Sequence, residues 1–181
     1  MKKTLLIVFY LFSCSSVFSQ MTVNTDAPNN DINHLVNNVL LSSGVQASNF
    51  SFEGHPKQIG YFDGSNSNIG LSGGIVLSTG DVSVLAPSFS GTPTLVTQMP
   101  PISDPDLLDV ANSVPGMIGQ SFSVSAINDV AVIEFDFVPS SDTVSFNYVF
   151  GSQEYFGFEN SSFNDVFGFF VSGPGISGPY K

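Results

Sequence analysis

Two hydrophobic periods follow one another along this chain of 181 residues, and they predict a helical entry followed by β structure. In residues 31–41, Ile32, Leu35, Val36, Val39 and Leu40 occupy the i, i+3, i+4, i+7 and i+8 positions of one helical face. Asn29 or Asn30 can cap the start, and Gly44 stands where a left-handed residue closes a helix. From Val45 onward the period changes to two. Residues 49–53 (NFSFE) alternate, and residues 74–80 (GIVLSTG) form a strand bounded by glycines. In residues 132–138, Ile133, Phe135 and Phe137 share one face and Glu134 and Asp136 the other. Residues 144–150 repeat the pattern, with Val144, Phe146, Tyr148 and Phe150 opposite Ser145 and Asn147. Residues 166–171 (VFGFFV) are apolar on both faces, as a central strand covered on both sides would be.

The intervening segments read as loops. Residues 22–30 are polar with Pro28, an entry loop; residues 63–70 are dense in turn formers; residues 139–142 (PSSD) make a turn between two strands. Residues 87–105 are a Pro/Ser/Thr-rich surface excursion. The expected fold is therefore mainly β, a jelly-roll-like β-sandwich with one N-terminal amphipathic helix. Residues 174–181 are loop-like directly after a strand that needs neighbours on both edges, so the domain is expected to continue past Lys181.

Residues 1–19 are expected to be a signal peptide and residues 20–181 the β domain. Lys2 and Lys3 supply the positive start, Leu5 to Phe12 the apolar stretch, and Val17, Phe18 and Ser19 the cleavage site before Gln20. The apolar stretch is too short to span a bilayer. Leu11 to Cys14 resembles a lipobox with Cys14 as the lipidated residue, but Phe12 fits it poorly and soluble export is the better reading. Cys14 is the sole cysteine, so the exported form has no disulfide, thiolate metal site or cysteine nucleophile. Four lysines and no arginine face 15 acids, a net charge of −11; removing the leader leaves two lysines and −13. So acidic a chain has no electrostatic route to phosphate backbones, which excludes nucleic-acid binding. Charged residues are 10% of the chain and mean hydropathy is +0.23, the reverse of a disordered composition.

Three acidic groupings could carry chemistry. Asp104, Asp106 and Asp109 fall within six residues; Asp129 precedes the strand bearing Glu134 and Asp136; Glu154, Asn164 and Asp165 flank the loop between two core strands. Hard oxygen ligands from loops suit Ca²⁺. With only Lys57 and Lys181 as cations in the exported chain, a buried acid would need a metal or a proton. Glu154, Asn164 and Asp165 are the first expected ligands, with Asp104, Asp106 and Asp129 second. Catalysis is not expected. Glu134 and Glu154 could serve as paired carboxylates of a carbohydrate-active hydrolase, the rival reading, but nothing in their spacing demands it. His34 lies in the helix and His55 in a Gly-His-Pro turn, neither in a metal or triad pattern. Phe150, Tyr155, Phe156, Phe158 and Phe163 bracket a Gly/Asn/Ser loop, where they either fill the core edge or stack on sugar rings. Asp142, Thr143 and Val144 match the short Asp-Ser/Thr-aliphatic O-glycosylation motif of Bacteroidetes.

Residues 74–80, 128–139 (NDVAVIEFDFVP), 148–155 (YVFGSQEY) and 163–175 (FNDVFGFFVSGPG) together resemble the choice-of-anchor L domain, found in bacterial surface and secreted proteins and frequent in Bacteroidetes. The helix and residues 49–54 (NFSFEG) match its N-terminal part, so the resemblance spans residues 22 to 181. It implies export, with a downstream anchor or sorting module such as a type IX secretion or gliding-motility-associated C-terminal domain. The family often has Ser-Glu-Glu-Tyr where this chain has Ser152, Gln153, Glu154 and Tyr155; Gln153 would weaken a site that used the first acid. The resemblance implies no enzymatic activity. The expectation is a secreted or cell-surface adhesion domain, stabilised by calcium, whose partner is an extracellular polymer or surface protein.

Overall fold

The computed structural model describes residues 20–41, 44–86, 103–152 and 165–177. Among the described residues five strands form two antiparallel sheets, which bears out the β-rich expectation. The first sheet has the order β1 (Thr22–Asn24), β3 (Ile59–Asp63), β4 (Gly73–Leu77). The second pairs β2 (Gln46–Glu53) with β5 (Val132–Val138). Strands β2, β4 and β5 fall on segments whose alternation predicts them. Strands β1 and β3 do not: β1 is three residues long within the expected entry loop, and β3 begins just after a turn and carries Gly60. Gly60 is needed where the strands meet, because a Cβ there would lie 2.9 Å from the Asn24 carbonyl oxygen of β1.

The expected N-terminal helix is α-helical only over α1 (Ile32–His34) and continues as a wider π-helix over Leu35–Leu40. Its cap is Asp31 rather than Asn29 or Asn30: the Asp31 carboxylate accepts from the Asn33 N–H at 2.8 Å. The helix is closed at Leu41, so Gly44, although it has the expected positive φ of +101°, stands beyond the cap rather than at it. The helical face buries Leu35 and Val36 completely, and with Ile59, Phe62 and Val82 they form the centre of the core.

A second and longer helix, α2 (Pro105–Met117), corrects the expectation of a single one. Its signals are present in the sequence. Asp104 caps it by accepting from the Leu107 N–H at 2.8 Å, Pro105 opens the first turn, and Ala111 and Pro115 lie four apart on the buried face. Pro115 lies inside the helix and cannot donate the backbone hydrogen bond that would otherwise run to the Ala111 carbonyl. Asn112 then fixes the next segment. Its side-chain amide accepts from the Val124 N–H at 2.9 Å and donates to the Val124 carbonyl at 3.0 Å, as a neighbouring strand would.

One buried polar side chain joins the two halves. Gln58 is fully buried; its Oε1 accepts from the His55 N–H at 2.6 Å and its Nε2 donates to the Asp129 carbonyl at 2.8 Å. Gly54 makes room for it: at φ +153°, a Cβ there would meet the Phe52 ring at 2.8 Å and Gln58 Oε1 at 3.1 Å.

The two remaining expected strands differ. Residues 144–150 and 165–171 carry no ladder pairing among the described residues, and the first is exposed throughout. Residues 166–171 are not covered on both sides: Phe167, Phe169 and Val171 are exposed. Only the other face is packed, where Gly168 sits so close to Leu107 of α2 that a Cβ would approach its Cδ2 to 3.0 Å.

Candidate functional site

The polar face of the β2–β5 pair is built around a bulge. The register shifts between Ser48 and Ser51, and Asn49 within the bulge has φ +54°. That turn aims the Asn49 side chain across the sheet, where its Nδ2 donates to Asp136 Oδ2 at 2.6 Å. Ser51 Oγ is 3.5 Å from Glu134 Oε2. As the alternation predicts, Glu134 and Asp136 are exposed, while Phe50, Phe135 and Phe137 line the opposite face with ring centroids 6.0–6.5 Å apart. A shallow depression of about 210 Å³, lined by Gln46, Ala47, Ser48, Asp136, Phe137 and Val138, opens at the end of the pair.

The acidic residues singled out from the sequence are mostly in local structural roles. Asp104 is the α2 cap and Asp106 lies in the first turn, where the helix dipole favours negative charge. Asp129 has φ +56° and presents its carbonyl to Gln58. Asp165 is exposed and accepts from Ser152 Oγ at 2.6 Å. Glu154 and Asn164 lie outside the described residues, as do Tyr155, Phe156, Phe158 and Phe163. Among the described residues, no three Asp, Glu, His or Cys side chains converge as metal ligands. His55 Nδ1 accepts from the Lys57 N–H at 3.2 Å, closing a short 3₁₀ turn.

Three other aspartates have carboxyls held below their ordinary value. The Asn33 backbone N–H, and then its side chain, stabilise the Asp31 carboxylate, and the Ser65 hydroxyl and N–H stabilise Asp63. At Asp81 partial burial pushes the other way, but Ser83 and the Lys57 ammonium, 3.0 Å away, outweigh it.

The feature least expected from the sequence is an exposed aromatic face. Phe146 stacks near Phe169 with centroids 4.1 Å apart, and Tyr148 lies over Phe167 at 5.4 Å and 21°. These pairings require residues 144–150 and 165–171 to run in opposite directions. Tyr148 is 62% exposed and Phe169 55%, and the alternation puts Val144 and Phe150, also exposed, on the same face. Residues 144–150 and 166–171 contain no charged side chain. The alternation groups these rings on one face; nothing in it says whether that face is covered.

The model of the choice-of-anchor L domain matches residues 22–181. The chain belongs to the choice-of-anchor L domain family. That membership gives it the context of a cell-surface or secreted, anchor-associated protein. No curated protein and no solved structure matches it. Among the described residues no helix is long and apolar enough to cross a membrane.

Proposed function

We propose that this choice-of-anchor L domain is a non-catalytic adhesion module that holds an extracellular polymer or a surface protein. The observation that carries the reading is the uncharged aromatic face of Phe146, Tyr148, Phe167 and Phe169, whose rings stand open to solvent. Contiguous exposed apolar surface of this kind marks interaction sites, and stacked rings offer flat platforms for sugars or partner side chains. In the architecture we favour, a jelly-roll-like sandwich, residues 144–150 and 165–171 extend the β2–β5 sheet and present this face outward. Residues 1–19 act as the export signal, and a downstream module supplies the anchor.

The test is adsorption of the exported chain, from Gln20 onward, to chitin, cellulose and isolated cell envelopes. The comparison is a Tyr148→Ser, Phe167→Ser double variant whose melting temperature matches the parent. Binding to at least one surface, weakened tenfold or more by the double substitution, supports the reading. Equal binding by both proteins, or binding to none of the surfaces, refutes it.

Calcium stabilisation is proposed alongside, through Glu154, Asn164 and Asp165, with Asp104, Asp106 and Asp129 as the secondary set. Its support is the scarcity of cations able to neutralise these acids. Ca²⁺ at a hundred times its Kd would add about 2.7 kcal/mol, a melting shift of about 5–10 °C at this size. Equal melts in chelator, Mg²⁺ and Ca²⁺ would remove calcium from the proposal and leave the aromatic face standing.

A further inference from the structure

We propose that Thr143 is an O-glycosylation acceptor, its hydroxyl taking a sugar from a phosphate-activated glycosyl donor. Asp142 alone among the aspartates of the chain is followed by Ser or Thr, and Val144 completes an Asp-Thr-aliphatic triplet. A three-residue pattern means little if it is buried or lies in regular structure. Here the fold presents it openly: residues 139–144, directly after β5, are all exposed, and the aliphatic third position is itself 57% exposed. An enzyme can therefore reach all three positions without unfolding the domain.

The turn is also held in shape. Ser141 Oγ donates to the Thr143 carbonyl at 2.9 Å and accepts from the Thr143 N–H at 3.4 Å, so one side chain holds both backbone groups of the acceptor residue. Thr143 Oγ1 donates to Asp142 Oδ1 at 3.3 Å. That contact directs the hydroxyl proton to the carboxylate and leaves the oxygen lone pairs to solvent. In the transfer, a bond forms between Thr143 Oγ1 and the anomeric carbon of the donor. The bond from that carbon to the donor phosphate oxygen breaks, the phosphate leaves with the electron pair, and a base of the transferase takes the hydroxyl proton. The product is a covalent sugar on an exposed turn, the form such modification takes on folded exported proteins.

The experiment expresses the full chain with its own leader in a bacterium that O-glycosylates exported proteins at Asp-Ser/Thr-aliphatic sites. One modified host protein serves as the positive control. Intact mass and chymotryptic peptide mapping are the readouts, since only Lys57 and Lys181 are available to trypsin after export. The expected result is a glycan mass increment on the Thr143 peptide, kept in Thr143→Ser and lost in both Thr143→Ala and Asp142→Asn. Each variant is required to melt with the parent, which these exposed positions permit. An unmodified Thr143 peptide beside a modified control would overturn the proposal. So would full modification in Asp142→Asn, or a glycan elsewhere on the chain that persists in Thr143→Ala.

Discussion

Replacing Gln58 by Leu would preserve side-chain volume at a fully buried position and remove both of its hydrogen bonds. The His55 N–H, 2.6 Å from Oε1, and the Asp129 carbonyl, 2.8 Å from Nε2, would each lose this partner at a half-buried position. A fully buried backbone group deprived of its partner costs about 1–3 kcal/mol. Both groups are half-buried and leucine buries more apolar surface, so the expected net loss is about 1–3 kcal/mol. That is a large fraction of the stability of an ordinary domain, about 5–15 kcal/mol. Gln58→Glu sharpens the test. Glutamate keeps the acceptor for His55, but it can donate to the Asp129 carbonyl only when protonated. Its folded-state pKa should be raised above the unfolded value of about 4.3. The sign follows: the interaction is present in full below the unfolded pKa and is lost as pH rises through the folded one. Relative to the parent, Gln58→Glu should be more stable near pH 4 than at pH 7. Urea unfolding of the exported chain at both pH values measures this. A Gln58→Leu variant within 1 kcal/mol of the parent, or a Gln58→Glu difference independent of pH, would refute the view that Gln58 joins the 55–58 turn to the entry of β5.

Three further outcomes are expected. Asp104→Ala should destabilise the chain by about 1 kcal/mol through loss of the α2 cap, whereas Asp104→Asn, which keeps a capping oxygen, should cost less; equal urea midpoints for Asp104→Ala and the parent would contradict this. Gly64→Ala should destabilise by about 1–3 kcal/mol, because its Cβ would run into the Leu71 backbone oxygen at the base of the loop between β3 and β4; a parental urea midpoint would contradict this. Acid unfolding should depend on Asp81. Its folded carboxyl titrates below the ordinary 3.8, so its contribution is complete above that value and is lost as pH falls through the lower folded one. Asp81→Asn should therefore flatten the acid limb of the stability profile, and superimposable limbs would show that the Lys57 contact has no part in it.

The segments legible in the sequence are those where a local rule and the final packing agree. The alternation of residues 132–138 assigns Phe135 and Phe137 to one face and Glu134 and Asp136 to the other, and β5 obeys it. The alternation of residues 49–53 and the glycine-bounded apolar run of residues 74–80 fall within or overlap strands β2 and β4. Helix α2 carries an equally local signal, with Asp104 and Pro105 at its start. Its run of acids fits ligand chemistry as well, but a capping aspartate is the simpler use of such a residue. Strand β3 was harder to see because Gly60 and the half-polar residues 59–63 lack a clean period. Only the close approach to β1 explains them.

What the sequence determined by itself is therefore the class of the chain, through its periods, its ordered family blocks and its charge. The expectation that phosphate backbones are no partner rests on the scarcity of cations alone, because net charge needs no tertiary contact to act at a distance. The tertiary structure decided which apolar face is covered. Phe62 and Phe169 are the same residue type, each in a short segment rich in apolar residues, yet one is 6% exposed and the other 55%. Periodicity orders side chains only relative to their own backbone. Burial depends on which distant element arrives above them: the helical turn of Leu35 and Val36 joins Phe62 in the core, while the Gly168 face meets Leu107 and the Phe169 face is left to solvent.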